Sequence, residues 1–148
     1  MIPVPVGSIL RHKGNAVFSV APDASVYQAI NIMAEKSIGA LPVIADGQLV
    51  GMLSERDYAR KVVLQSRSSK DTLVSEIMTT PGVSVGPSNT VEDCMRIMTL
   101  QLIRHLPVVD EGRIIGIVSM GDLVRQVIST QSEIIQHLQE YISGRPSA

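Results

Sequence analysis

Residues Ser19 to Val63 lie on Ser84 to Ile128 at a constant offset of 65 with no gap, and sixteen of those 45 positions are identical. An internal repeat constrains a fold more than any local motif does, because both copies must adopt one architecture and bury together what neither can bury alone. The shared landmarks fall in the same order: Pro22 with Pro87, Ile32-Met33 with Ile97-Met98, Leu41-Pro42-Val43 with Leu106-Pro107-Val108, and Gly51 with Gly116. Ser54 and Asp57 then align with Ser119 and Asp122. A shorter lead-in matches too, Val6–Leu10 on Val74–Met78, with the offset changed by three; this places an insertion around Arg11 to Asn15.

Each copy reads as strand, helix, strand, strand, helix. Ala16 to Val20 is a short apolar stretch that predicts a strand ended by Pro22, with Gly82 to Val85 as its counterpart. Ser25 is an N-cap candidate, and Val26, Ala29, Ile30 and Met33 recur at helical spacing until Gly39, which the pattern makes the end of that helical region. Leu41–Ile44 and Leu49–Leu53 flank Asp46-Gly47, a hairpin-turn signal. Ser54 opens a second helix carrying Tyr58, Ala59, Val62 and Val63, matched by a helix from Gly121. These readings predict an α/β (α+β) chain of two pseudo-symmetric β-α-β-β-α repeats packed through their sheets, followed by a C-terminal helix. The divisions are residues 1–66, a polar serine-rich and solvent-exposed linker at 67–73, residues 74–130, and a helical tail at 131–148. That tail carries Ile134, Ile135, Leu138, Tyr141 and Ile142 on one stripe in need of a partner surface. Ile30, Met33, Met95 and Met98 are likewise expected to outrun a single small core, so an isologous homodimer is the expected assembly.

Composition narrows the function classes. The chain is 45% apolar and only 3% aromatic, so its core must be aliphatic, and its net charge of −1 with a pI near 6.3 supplies no basic face for nucleic acid. One cysteine, Cys94, excludes an intramolecular disulfide and a Cys-rich metal site; its apolar neighbours Met95 and Met98 mark it as a buried small hydrophobe. His12 and His137 have no ligand-type partner at metal-site spacing. No apolar run is long enough to span a membrane and no signal peptide is evident, so a reducing cytoplasm is the expected compartment. Glycine-rich nucleotide fingerprints, a Walker loop and a nucleophile elbow are all missing, and Ser54 has no base at a recognisable spacing, which argues against an enzyme.

The remaining signal is a glycine, two aliphatic residues and then Ser-x-x-Asp at a strand-to-helix junction, as Gly51-Met-Leu-Ser54-Glu-Arg-Asp57 and Gly116-Ile-Val-Ser119-Met-Gly-Asp122. Two readings fit it. Helix starts carry unpaired N–H groups that attract anions, a serine can donate to phosphate, and an aspartate one turn in can accept both ribose hydroxyls. The same spacing also makes a capping box with no ligand at all. Arg56 and Gly121 inside the motif suit a phosphate and a close backbone approach respectively. Arg104 and His105 precede Leu106-Pro107 at the strand mouth, where repeat one has the small Gly39 and Ala40, with room for a flat ring. The plainer alternatives for this pair are a solvated charge and a satisfied loop histidine.

The tandem pairing, the Leu-Pro-Val strand opening, the Gly-x-x-Ser-x-x-Asp ending and the Ile77-Met78-Thr79 lead-in resemble the CBS domain family, named for cystathionine β-synthase, over about residues 7 to 128. The run Ser54 to Val62 with Arg67 to Lys70 resembles small stand-alone CBS-pair proteins of bacteria and plant organelles. The resemblance implies two clefts between the repeats, a disc-shaped homodimer, and a regulatory adenine ligand: AMP, ADP, ATP, S-adenosylmethionine or NAD(H). It implies no catalytic cofactor, and an unidentified partner protein as the thing regulated. Carried over, Asp57 and Asp122 would hold ribose, while Ser54, Arg56, Ser119, Arg104 and His105 would meet phosphates. Val17, Phe18, Val83, Ile38, Ala40 and Ile103 would line the adenine slots, beside Gly39 and Pro107. Met120-Gly121 departs from Glu55-Arg56, which implies weaker phosphate contacts around the second motif. A purely structural dimerisation module with empty clefts is the alternative.

Overall fold

The computed structural model describes residues 3–14, 17–80 and 82–144. Helix α1 (Val6–Lys13) is followed by α2 (Val26–Lys36), the hairpin β1 (Ala40–Ala45) and β2 (Gln48–Ser54), and α3 (Glu55–Tyr58), which passes into a π turn at Ala59–Val63. The second half repeats the order with α4 (Val74–Ile77), α5 (Val91–Gln101), the hairpin β3 (His105–Asp110) and β4 (Arg113–Ser119), and α6 (Met120–Ser143). Local chemistry accounts for these elements. Asp46 and Gly47 both have positive φ (51° and 76°), as do Glu111 and Gly112 (50° and 78°), which is the paired left-handed turn that suits the twist of a two-residue hairpin. Both hairpins carry a bulge at equivalent places, after Val43 and after Val108. Ser25 Oγ accepts the Gln28 N–H at 3.1 Å, and Thr90 Oγ1 accepts the Asp93 N–H at 3.1 Å, so both long helices start on side-chain caps.

Several expectations need correction. The predicted strands at Ala16–Val20 and Gly82–Val85 are reduced to single parallel bridges, Val20 to Val43 and Val85 to Val108, because one hairpin edge offers each segment only one point of contact; Ala16 and Asn15 lie outside the described residues. Helix α2 ends at Ser37, in the left-handed region at φ 54°, with Leu102 doing the same for α5 at φ 55°; Gly39 comes two residues later. The linker is only partly exposed: Thr72 is buried, with its hydroxyl on Ser68 O at 2.6 Å, and Ser69 O accepts the Tyr27 N–H. Met33 and Met98 are buried in the core and need no partner chain, while Ile30 and Met95 pack against it half-buried. Val63 is exposed rather than part of the inward face, since the π turn rotates it outward while Val62 stays buried.

The repeats exchange their lead-ins. Val6, Ile9 and Leu10 of α1 lie in one cluster with Val85, Val91, Cys94, Met98, Leu106, Val108, Val118 and Leu123, the core of the second repeat. Val74 and Ile77 of α4 join Val20, Val26, Met33, Leu41, Val43, Leu53 and Val62, the core of the first. The main chain follows the same rule: Val6 N–H donates to Asn89 O at 2.7 Å and Val91 N–H to Val4 O at 2.9 Å, while Val74 N–H donates to Ala24 O at 2.9 Å and Val26 N–H to Thr72 O at 2.8 Å. The conserved spacing of Gly51 and Gly116 between the copies now has a cause. A Cβ on Gly116 would stand 2.7 Å from Leu10 Cδ2, and one on Gly51 would stand 2.5 Å from Met78 Sδ, so each glycine admits a lead-in.

Candidate functional site

Crossing the chain in this way leaves a cleft of about 440 Å3 between the repeats, within the roughly 300–1,000 Å3 of small-molecule sites. One wall is Val17, Phe18, Ile38, Gly39 and Ala40 of the first repeat; the other is Ile117, Ser119, Asp122 and Arg125 at the start of α6. Lys13, Lys36, Ser37 and His105 add to its polar lining. Cross-strand pairing positions the groups: His105 lies opposite Ser119, as Ala40 lies opposite Ser54.

Both Ser-x-x-Asp motifs form capping boxes. Ser119 N–H donates to Asp122 Oδ2 at 2.8 Å and Asp122 N–H to Ser119 Oγ at 3.2 Å; Ser54 and Asp57 repeat this at 3.0 and 3.1 Å. Capping uses only part of each carboxylate. Asp122, 8% exposed, also accepts from Lys13 Nζ at 2.8 Å and Arg125 Nη2 at 2.7 Å. Burial pushes its carboxyl up, but hydrogen bonds from Lys13 and the Ser119 backbone, with the nearby Lys13 charge, outweigh this and hold it below the usual aspartate range. Asp57 instead accepts from Thr79 Oγ1 at 3.1 Å and Lys61 Nζ at 3.1 Å.

Eight residues singled out from the sequence meet in the Asp122 cleft: Val17, Phe18, Ile38, Gly39, Ala40, His105, Ser119 and Asp122. The space at Gly39 is used by His105, whose Nε2 lies 3.3 Å from where a Cβ would be, so the flat ring admitted there is the protein's own imidazole. Ser54, Arg56 and Asp57 stand at the junction of the other repeat, where Arg56 Nη1 donates to Leu102 O at 3.4 Å across the gap toward α5. Arg104, Val83 and Ile103 do not line the Asp122 cleft; the Arg104 side chain is exposed, and its carbonyl accepts the Met120 N–H. Pro107 is buried inside β3, paired with Ile117, and Gly121 is exposed on the first turn of α6. Three cations of the cleft, Lys13, Lys36 and Arg125, were not among the sequence candidates. Two of them carried a signal, Lys13 in the three-residue change of offset and Arg125 one turn beyond Asp122, and nothing in the sequence marked Lys36. Lys36 Nζ rests 4.9 Å from the centroid of the Phe18 ring. Among the described residues, no group of His, Cys, Asp and Glu is placed to hold a metal ion, and no helix is long and apolar enough to cross a membrane.

Two repeats that trade lead-ins and leave a cleft at a capped helix start define a tandem-repeat module of mixed α and β structure with a ligand-sized cavity. The chain belongs to the CBS domain family, whose model matches residues 6–64 and 74–129. It is 38% identical to the CBS domain-containing protein CBSX3, mitochondrial, of Arabidopsis thaliana, over 94% of this chain and 72% of that one. It also resembles the solved structure of a putative signal-transduction protein with CBS domains from Burkholderia ambifaria, at 49% identity and a TM-score of 0.82, covering 86% of this chain and 96% of that one. A hexameric CBS-CP12 protein from bloom-forming cyanobacteria matches at 28% identity and a TM-score of 0.75, over 84% of this chain and 68% of that one.

Proposed function

We propose that this chain is a regulatory module that binds an adenine nucleotide, AMP, ATP or NAD(H), in the Asp122 cleft and thereby modulates a partner protein, without catalysing a reaction itself. One observation carries the reading: a carboxylate more than nine-tenths buried stands at the capped start of α6, across a ligand-sized cleft from an apolar slot. The adenine ring fits among Val17, Phe18, Ile38 and Ala40, the ribose hydroxyls donate to Asp122, and the phosphate lies near Ser119 with Lys13 and Arg125 close by. Helix α6 links this site to an interaction surface. It runs 24 residues without a break, roughly 36 Å, and carries Ile134, Ile135, Leu138, Tyr141 and Ile142 exposed toward its far end. A ligand that steadies the first turn therefore acts on the helix that presents the stripe. The single, buried cysteine suits a reducing cytoplasm.

A structural module with no physiological nucleotide is the second reading, favoured by one observation: Asp122 and Asp57 are both fully engaged by the protein's own donors. Calorimetry with AMP, ATP and NADH on the wild-type chain and on Asp122→Ala separates the two. Binding that weakens by about 10- to 100-fold in a folded Asp122→Ala supports the nucleotide site, as loss of a charged hydrogen-bond acceptor requires. No binding by the wild type, or equal affinity in the variant, leaves Asp122 as a cap alone.

A further inference from the structure

Each Ser-x-x-Asp carboxylate is paired with a lysine, Asp57 with Lys61 four residues on at 3.1 Å and Asp122 with Lys13 of a lead-in at 2.8 Å, and the lead-ins themselves differ. On the Asp57 side the chain leaving α4 continues beside β2: Met52 N–H donates to Thr79 O at 2.8 Å, Thr79 N–H donates to Met52 O at 2.9 Å, and Thr79 Oγ1 reaches Asp57. On the Asp122 side the lead-in has three more residues, and α1 runs on to Lys13 where α4 stops at Ile77. Here a side chain replaces the main-chain bridge. Lys13 Nζ donates to Ile117 O at 2.9 Å and to Asp122 Oδ2 at 2.8 Å, and Ile117 is the counterpart of Met52. Lys13, whose side chain is 39% exposed, can swing away by rotamer changes alone.

We infer that Lys13 is the specificity-determining residue of the Asp122 cleft: an internal cation that the ligand must displace, and that admits a nucleoside only when it carries a phosphate. The inference rests on the adenine-nucleotide reading above. Ribose hydroxyls replace what Lys13 gives Asp122, but they supply nothing in return to the ammonium group. Among the described lining residues Lys36 and Arg125 already face one carboxylate, Asp122, and the Glu55 carboxylate stands nearby at Gly39, beside His105. A neutral nucleoside therefore breaks an ion pair and leaves a third cation without a partner in a cationic cleft. A nucleotide trades one pair for another, because its phosphate, with about −1.5 to −2 charge at neutral pH, accepts from the displaced Lys13. Asp57 has a lysine of its own, Lys61 Nζ at 3.1 Å, besides the Thr79 hydroxyl, and it does not line this cleft.

The test is calorimetry of the full chain with adenosine and with AMP, on wild type, Lys13→Met and Lys13→Arg, with folding checked by circular dichroism. Wild type binds AMP at least about 100-fold more tightly than adenosine, as an exchanged rather than a broken ion pair requires. In Lys13→Met the ratio falls to about 10-fold or less, since adenosine gains and AMP loses, and Lys13→Arg restores most of it. Equal shifts of both ligands in Lys13→Met, or no shift in either, overturn the inference while leaving the nucleotide site standing. Failure of the folded wild type to bind any adenine nucleotide overturns both. Should Lys13→Met not fold, the wild-type ratio still decides, because near-equal affinities for adenosine and AMP refute the exchange.

Discussion

Replacing Gly116 by alanine tests whether the first lead-in is seated in the second repeat. The new Cβ would lie 2.7 Å from Leu10 Cδ2, 3.1 Å from Cδ1 and 3.4 Å from Cγ. Ordinary carbon contacts are about 3.5–4.0 Å, so the Leu10 side chain must retreat by roughly 1 Å. It cannot do so freely, because Leu10 is buried among Val118, Leu106 and Leu123. Overpacking of this kind costs about 1–3 kcal/mol, which for a chain of this size lowers the melting temperature by roughly 3–10 °C. Gly82→Ala is the control, since nothing lies within 4 Å of its Cβ position and its φ is not positive; its effect should stay within about 0.5 kcal/mol. The decisive measurement is a double-mutant cycle by urea denaturation. Leu10→Ala alone creates a cavity and costs about 2–4 kcal/mol, but it also makes room for the alanine at 116. The double variant should therefore be more stable than the sum of the single losses predicts, by about 1 kcal/mol or more. Strict additivity would mean that Leu10 does not pack on β4, and the exchanged lead-in would be wrong.

Burial, then the Lys13 charge, and more weakly Arg104 and Arg56, hold His105 below the ordinary histidine value against an opposing pull from Asp122. The unfolded chain thus takes up this proton more readily, so stability should hold above about pH 6.5 and fall as pH drops from there toward the lowered native value. Thermal melts between pH 7.5 and 5.5 should show the loss, His105→Gln should flatten it, and an unchanged slope in that variant would assign it elsewhere. Burial, with a smaller contribution from Asp93, pushes the Cys94 thiol up to about 11, so a thiol reagent should label the native protein at pH 8 far more slowly than the urea-unfolded chain; comparable rates would contradict its place in the core. Tyr141 and Ile142 are 85% and 83% exposed on α6, and an isologous dimer that covers this stripe is the expected state at micromolar concentration. Light scattering should show it weakened in Leu138→Glu and Ile142→Glu, and a monomeric wild type at tens of micromolar would refute it.

Signals that act over a few residues were legible without coordinates. Asp46-Gly47 and its partner Glu111-Gly112 specify the hairpins because the turn demands positive φ from adjacent residues. Ser25, and the Ser-x-x-Asp pairs, specify helix starts because a cap needs only a side chain within three positions of an orphan N–H. The repeat itself then dictated two copies of one fold. What a chain cannot show in its own order is which distant surfaces meet. Val6 to Leu10 sit next to the first repeat in sequence yet fill the core of the second, since a short amphipathic helix carries a stripe but no address. Only that exchange explains why both junctions begin with glycine. It also decided the difference between two motifs that read alike. Asp57 is held by Lys61 four residues on and by Thr79, on a segment bonded to β2, whereas Asp122 is held by Lys13, because three added residues extend one lead-in helix and not the other, and the separation from Lys13 to Asp122 is bridged only in the folded protein.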